Sequence, residues 1–330
     1  MFKHIVVGVD GREGGREAVA LARLLVAVGG KLTLAYVVAR DAHAYRGTSG
    51  APEASDGGRA EALLEAVRGE TGVEAHLRWY GSSSVGRGLH ELCEATGADL
   101  LVVGSSRRGL LGRVLIGDDT GAALNGAPCP IAIAPSNYSQ QPGMTREIGV
   151  GYDGSPESEH ALSVARTLAV AWAAKLSALE AVSVPSYAFV GSGAADNAPQ
   201  CLVEDALERI AGLGGVEPHA AYGQPAEELA LYSASLDLLI VGARGYGPLG
   251  RLIHGSTSQQ LAHTARCPLL VLARAAHAIE IDEAARQGGE STRRISDSSS
   301  NPVPSHPLIL DRLGSMRSRS PDRGSRLVVT

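Results

Sequence analysis

The residues most able to meet a small charged ligand lie in one stretch, GARGYGPLGRLIHGSTS, residues 242–258. Five of its seventeen residues are glycine, it follows the apolar run LDLLIV, and it ends in Ser256, Thr257 and Ser258. Gly242 and Gly245 let backbone amides approach a ligand with no Cβ in the way. Gly255 leads into the three hydroxyls at the expected start of a helix. Free N–H groups and a partial positive charge there favour phosphate. Asp153 ends an earlier apolar run, in VGYDGS, where its carboxylate can accept from a ribose hydroxyl or hold a metal ion. A second reading stays open. Ser256 to Gln259 has the S-x-x-Q form of a capping box, which needs no ligand. The stretch is neither a P-loop nor a compact GxGxxG turn.

The elements that must position these residues come from a repeat. HIVVGVDGRE near 4–13 matches REIGVGYDGSPE at 146–157, and KLTLAYVV at 31–38 matches KLSALEAV at 175–182. GVEAHLRWYG at 72–81 matches GVEPHAAYGQ at 215–224, and ADLLVVGSSRRGLLGRVLIGDDT at 98–120 matches the stretch that contains the glycines. A repeat this long is a duplicated domain rather than a solenoid unit. In the second half, strands are expected near 147–152, 176–184, 216–222, 237–242 and 268–273. Helices are expected near 156–173, 201–213, 225–235 and 256–266. Near-continuous apolar strands alternating with helices imply a parallel sheet covered on both faces. Ser155 as N-cap with Pro156 after it marks the start of the helix at 156. The expected fold class is α/β, with two tandem doubly wound domains and a five-stranded parallel sheet in each. In such sheets ligands sit beyond the carboxyl ends of the strands, where the strand order reverses. Asp153, Ala181, Val182 and Gly242 all close strands.

The expected boundaries are 1–135, a linker at 136–146, a second domain at 147–274 and a tail at 275–330. The tail, with ISDSSSNPVPSHP and GSMRSRSPDRGSR, has the composition of a disordered segment. Residues 39–56 and 185–200 are expected to be long mobile loops. Among 330 residues, 44% are hydrophobic, 20% are charged and only 4% are aromatic, so the cores must be aliphatic. The formal charge of −5 gives no case for nucleic acid as partner. No apolar run is long enough to span a membrane, and a cytoplasmic location follows by default. None of the four cysteines forms a CxxC pair; Cys129 and Cys267, each before proline, read as small buried hydrophobes. Trp79 and Trp172 are expected to pack on apolar faces.

The pattern G-x2-G-x9-G-[ST], met by Gly242, Gly245, Gly255 and Ser256 after a strand and with Asp153 upstream, resembles the nucleotide-binding signature of the universal stress protein family in its tandem form. The resemblance covers residues 1–274. It implies a domain that binds ATP, with Mg²⁺. It maps Asp153 to the ribose and adenine, and Ala181, through its backbone, to the adenine. Val241 and Gly242 then flank phosphates and ribose, and Gly255, Ser256 and Thr257 contact the triphosphate. It also implies pairing through last strands. CPIAIAP and CPLLVLA would then form an intramolecular pseudo-dimer, with a homodimer as a further option.

The first half departs from this pattern. It keeps Asp10, Gly104 and Gly117, but Arg107 stands for the second glycine and Asp118 for the hydroxyl. An aspartate still caps the helix, but it competes with phosphate for the same N–H groups. One competent site in the second half and one degenerate site in the first are therefore expected. Three functions follow: a nucleotide-binding regulatory module with an unnamed protein partner, a slow ATPase or nucleotide-transferring enzyme, and a ligand-free scaffold. The first is preferred. An enzyme would need a positioned base, and Asp153 is better placed for ribose or metal than for activating water.

Overall fold

The computed structural model describes residues 1–39, 54–105, 121, 123–140, 145–183, 198–243 and 256–272. The first half supplies strands β1 (Phe2–Gly8), β2 (Val26–Ala39), β3 (His76–Ser82), β4 (Leu100–Gly104) and β5 (Ile131–Ala134). Helices α1 (Glu13–Leu25), α2 (Ala54–Thr71) and α3 (Val85–Thr96) lie between them. The second half repeats the order with β6 (Glu147–Gly151), β7 (Lys175–Val182), β8 (Glu217–Tyr222), β9 (Leu238–Gly242) and β10 (Leu269–Leu272). Its helices are α4 (Pro156–Trp172), α5 (Ala198–Ala211), α6 (Pro225–Tyr232) and α7 (Ser256–Thr264). The two expected loops are shorter than their composition suggests, because residues 54–56 and 198–200 already belong to α2 and α5. Residues 40–53, 184–197 and the tail from 273 onward lie outside the described residues.

Local sequence explains the second-half helices directly. Ser155 caps α4, its hydroxyl accepting from the Ser158 amide at 3.3 Å, with Pro156 opening the helix. Ala161, Leu162, Ala165, Leu168 and Ala169 are buried at helical spacing and form its inner stripe.

The ten strands form one sheet in the order β3-β2-β1-β4-β5-β10-β9-β6-β7-β8. Within each half every pairing is parallel. The halves meet where β5 and β10 run antiparallel, with Leu270 opposite Ala132 and Leu269 and Val271 opposite Ile133 and Ile131. Ala132 and Leu270 are equivalent in the repeat, so this contact is isologous, the same patch meeting itself. It consumes both last strands, and neither keeps an edge for a second chain. The free edges are β3 and β8.

One row of side chains crosses the whole sheet. Leu77, Leu34, Val7, Val102, Ala132, Leu270, Ile240, Val150, Ala178 and Pro218 are neighbours in turn. From Leu34 to Ala178 they are buried in a single core under α1, α2, α4 and α5. A second continuous core lies on the other face under α3, α6 and α7. Cys129 and Cys267 are buried in this second core as expected, and Trp79 and Trp172 pack against the first.

The start of the linker is also tied down. The Ser139 amide donates to Glu17, a nearly fully buried carboxylate on α1, and the hydroxyls of Ser105 and Ser136 lie 3.1 Å apart. Burial and then the nearby Asp237 charge push the Tyr138 phenol up to about 12.

The edge strands break the repeat. GVEAH and GVEPH match in sequence, yet His76 lies beside Thr33 while Glu217 lies beside the equivalent Ser177. The slip is two residues, and a two-residue slip keeps each side chain on its face. An edge strand has one neighbour to fix its register, so it tolerates this. Among the described residues no helix is long and apolar enough to cross a membrane.

Candidate functional site

In a parallel sheet each crossover helix returns antiparallel to the strands, so its N-terminus sits at their carboxyl ends. The N-termini of α4, α5, α6 and α7 therefore gather at one end of the second half, bringing positive partial charge there. Because β5 and β10 run antiparallel, the equivalent end of the first half faces the opposite way. The two candidate sites lie at opposite ends of the sheet.

The switch point of the second half is β6, which has β7 on one side and β9 on the other. Just past its end, Asp153 accepts from the Ser155 amide at 3.0 Å and the Ser155 hydroxyl at 2.5 Å. Gly154 adopts φ +72° to make this turn. The first half repeats the turn with Gly11 at φ +75°, and Asp10 accepts from the Arg12 amide at 2.9 Å. There the Ser155 hydroxyl is replaced by a guanidinium, with Arg12 Nε 3.7 Å from Asp10 Oδ2. Both groups are largely exposed, so that ion pair adds little stability.

Strand β7 runs past its neighbour. Its last pairing with β6 is Leu179 opposite Gly151, and the Tyr152 amide donates to the Leu179 carbonyl. Glu180, Ala181 and Val182 continue with only β8 beside them. Backbone groups of a strand alternate sides. Leu179 faces β6, and Val182 faces β8, its carbonyl accepting from the Gly223 amide at 3.0 Å. The Ala181 N–H and C=O therefore point toward the β6 side, where that strand has ended, above Tyr152 and Asp153.

Val241 is buried, and Gly242 ends β9 beside β6 and β10. A Cβ on Gly242 would stand 2.5 Å from the Glu157 carbonyl oxygen in the first turn of α4. In the first half a Cβ on Gly104 would stand 1.9 Å from the Gly14 carbonyl oxygen of α1. Both glycines are thus required by helix–strand packing, a requirement separate from the ligand approach expected at Gly242. Gly242→Ala is expected to cost about 1–3 kcal/mol, since the clashing atom is backbone. Urea denaturation checks this, and a change below about 0.5 kcal/mol would contradict it.

Ser256 is exposed and Thr257 half-buried at the start of α7, which is held by Leu261 and Ala262 in the second core. Gly245 and Gly255, and Gly117, Arg107 and Asp118 in the first half, lie outside the described residues. Among the described residues no group of three His, Cys, Asp or Glu side chains could hold a metal ion.

The structure adds a polar network that sequence reading missed. Tyr152 is nearly buried, and its hydroxyl donates to Glu159 of α4. Burial first, then that bond and the charges of Glu159 and Glu180, push its phenol up to about 12. Glu180 is gripped by Arg209 of α5 through two hydrogen bonds, Nη2 to Oε1 at 2.7 Å and Nε to Oε2 at 3.3 Å. The first half has Val9 and Tyr36 in place of Tyr152 and Glu180. A lone carboxylate in the apolar run KLSALEAV is the signal that points to Glu180.

The sequence model of the universal stress protein family matches residues 1–135 and 144–273. A universal stress protein of Mycobacterium tuberculosis is 34% identical over 188 residues, covering 53% of this chain and 61% of the relative. The match thus spans about three-fifths of that protein's length. One from Thermus aquaticus is 34% identical over 139 residues, covering 39% of this chain and 99% of the relative. The crystal structure of a universal stress protein from Archaeoglobus fulgidus aligns with TM-score 0.58 at 17% identity, over 82% of this chain and 98% of that one, which shows the same fold. With one family model matched twice in series on a fold shared with a solved member, the chain belongs to the universal stress protein family, as a tandem member.

Proposed function

We propose that the protein is a stress-response regulatory module that holds one ATP, with Mg²⁺, at the carboxyl end of the second half. The observation that carries this reading is the overhang of β7. It leaves the Ala181 N–H and C=O, side by side, beyond the last β6 pairing, at the end of the sheet that also carries Asp153 and the N-terminus of α7. A donor and an acceptor in that order suit the adenine edge, which offers a ring nitrogen and an exocyclic amine. Asp153 then accepts from the ribose. Ser256 and Thr257, at the N-terminus of α7 with its positive partial charge, receive the phosphates. Val241 and Gly242 lie between them at the end of β9, and Gly245 and Gly255, in the stretch that follows, complete the candidate set. Mg²⁺ would be held chiefly by phosphate oxygens and water, as is usual for this ion.

Regulation is favoured over catalysis because the Asp153 carboxylate is engaged by its own turn. It is an acceptor for a ribose hydroxyl rather than a base aimed at water. The first half has the turn at Asp10 and the close packing at Gly104, but Arg12 bears on the carboxylate, and Arg107 and Asp118 replace the glycine and the hydroxyl. The reading therefore gives one nucleotide to each chain. The experiment is equilibrium binding of ATP with Mg²⁺ to protein stripped of nucleotide. About one ATP per chain is expected. Two per chain would overturn the asymmetry of the halves, and none at millimolar ATP would overturn the nucleotide reading and favour a scaffold.

A further inference from the structure

The end of β7 poses a mechanical problem. Glu180, Ala181 and Val182 extend beyond β6 and are paired only with β8, itself an edge strand. A segment held on one side is free to twist, yet the proposed site needs the Ala181 amide and carbonyl at fixed positions. The one side-chain grip on this overhang among the described ion pairs is Glu180 with Arg209. The Glu180 side chain is only 12% exposed, and the two parallel hydrogen bonds fix the guanidinium and carboxylate planes together. Arg209 comes from α5, which packs on β7 and β8 and is anchored in the first core by Ile210. Tyr152, just past the end of β6, is held to α4 by its hydrogen bond to Glu159.

We propose that Glu180 and Arg209 are positioning residues that clamp the overhanging end of β7, and so set the base selectivity of the site through Ala181. The clamp acts by holding backbone that touches the base, not by touching it. This inference rests on the nucleotide reading above. It explains why the polar pair stands in the second half, where the hydroxyl-ended motif is kept, while the first half has Tyr36 at the equivalent strand position.

The test compares ATP and GTP binding to the full chain. Guanine presents an acceptor and a donor where adenine presents a donor and an acceptor, so a fixed backbone pair rejects it. The unaltered protein is expected to prefer ATP by about tenfold or more. Arg209→Met should weaken ATP binding by about tenfold and bring the two nucleotides to near-equal affinity, because a loose strand end adapts to either base. Arg209→Met leaves a nearly buried carboxylate alone, which endangers folding. The double variant Glu180→Met/Arg209→Met removes that charge and should show the same loss of preference. Arg209→Lys, which restores one of the two bonds, should recover part of it. A merely structural role would lower stability and leave the ATP to GTP ratio in place, and that result overturns the clamp. If the unaltered protein binds neither nucleotide, the nucleotide reading itself fails, and the clamp with it.

Discussion

Ala132→Asp is expected to destabilise both halves of the protein together. Ala132 is fully buried at the centre of the β5–β10 junction, between Val102 and Leu270 in the row that crosses the sheet. A carboxylate there loses its water and meets only aliphatic carbon. Such a burial costs several kcal/mol even after local relaxation. Domains have only about 5–15 kcal/mol in total. Both cores cross the junction without a break, so neither half has a separate hydrophobic interior to fall back on. The expected result in urea is one cooperative transition in the unaltered protein, and in the variant a transition shifted by at least about 4 kcal/mol. Two separate transitions, with only one moved, would show that the halves are independent domains and that the shared row has no energetic meaning.

On the proposed function, Ser256→Asp is expected to remove most ATP binding and leave the fold intact. The residue is exposed at the start of α7, where a carboxylate suits the helix terminus and adds slightly to stability. For a triphosphate the same charge is repulsive. At about 4 Å with an effective dielectric near 20 the repulsion is roughly 4 kcal/mol, and solvent at this exposed position reduces it to about 2. That corresponds to about thirtyfold in the dissociation constant. The substitution writes into the second half the residue that Asp118 supplies in the first. Thermal denaturation should show an unchanged or slightly raised midpoint, and calorimetric titration a loss of affinity. Unchanged ATP binding would remove α7 from the phosphate site. A lowered midpoint would mean that Ser256 serves the fold first.

The duplicated halves, the strand and helix order and the capped start of α4 were all legible in the residues, because they depend on periodicity and local hydrogen bonds. Ser155 and Pro156 are a case in point: a hydroxyl before a proline can satisfy an orphan amide whatever the rest of the chain does. So was the aliphatic character of the last strands, which need full burial on both faces. The candidate residues Asp153, Ala181 and Gly242 were named from their order along the chain and from the family resemblance, and each lies at or next to the end of a strand.

What the residues alone did not contain was where backbone meets backbone. Nothing in the residues around Gly242 announces the Glu157 carbonyl 2.5 Å from its absent Cβ, a contact set by how α4 lies on β9. Glu180 reads as an odd charge in a strand until Arg209, 29 residues on, is found against it. The two-residue slip of β3 is invisible because an edge strand obeys the same alternation in either register. The opposed direction of the two sites follows from β5 meeting β10 antiparallel, a choice made by packing two equal apolar faces across a local two-fold. Sequence by itself determined the elements and their chemistry, which are properties of neighbours along the chain. Tertiary structure alone decided the contacts between distant segments, because those depend on how whole layers settle against one another.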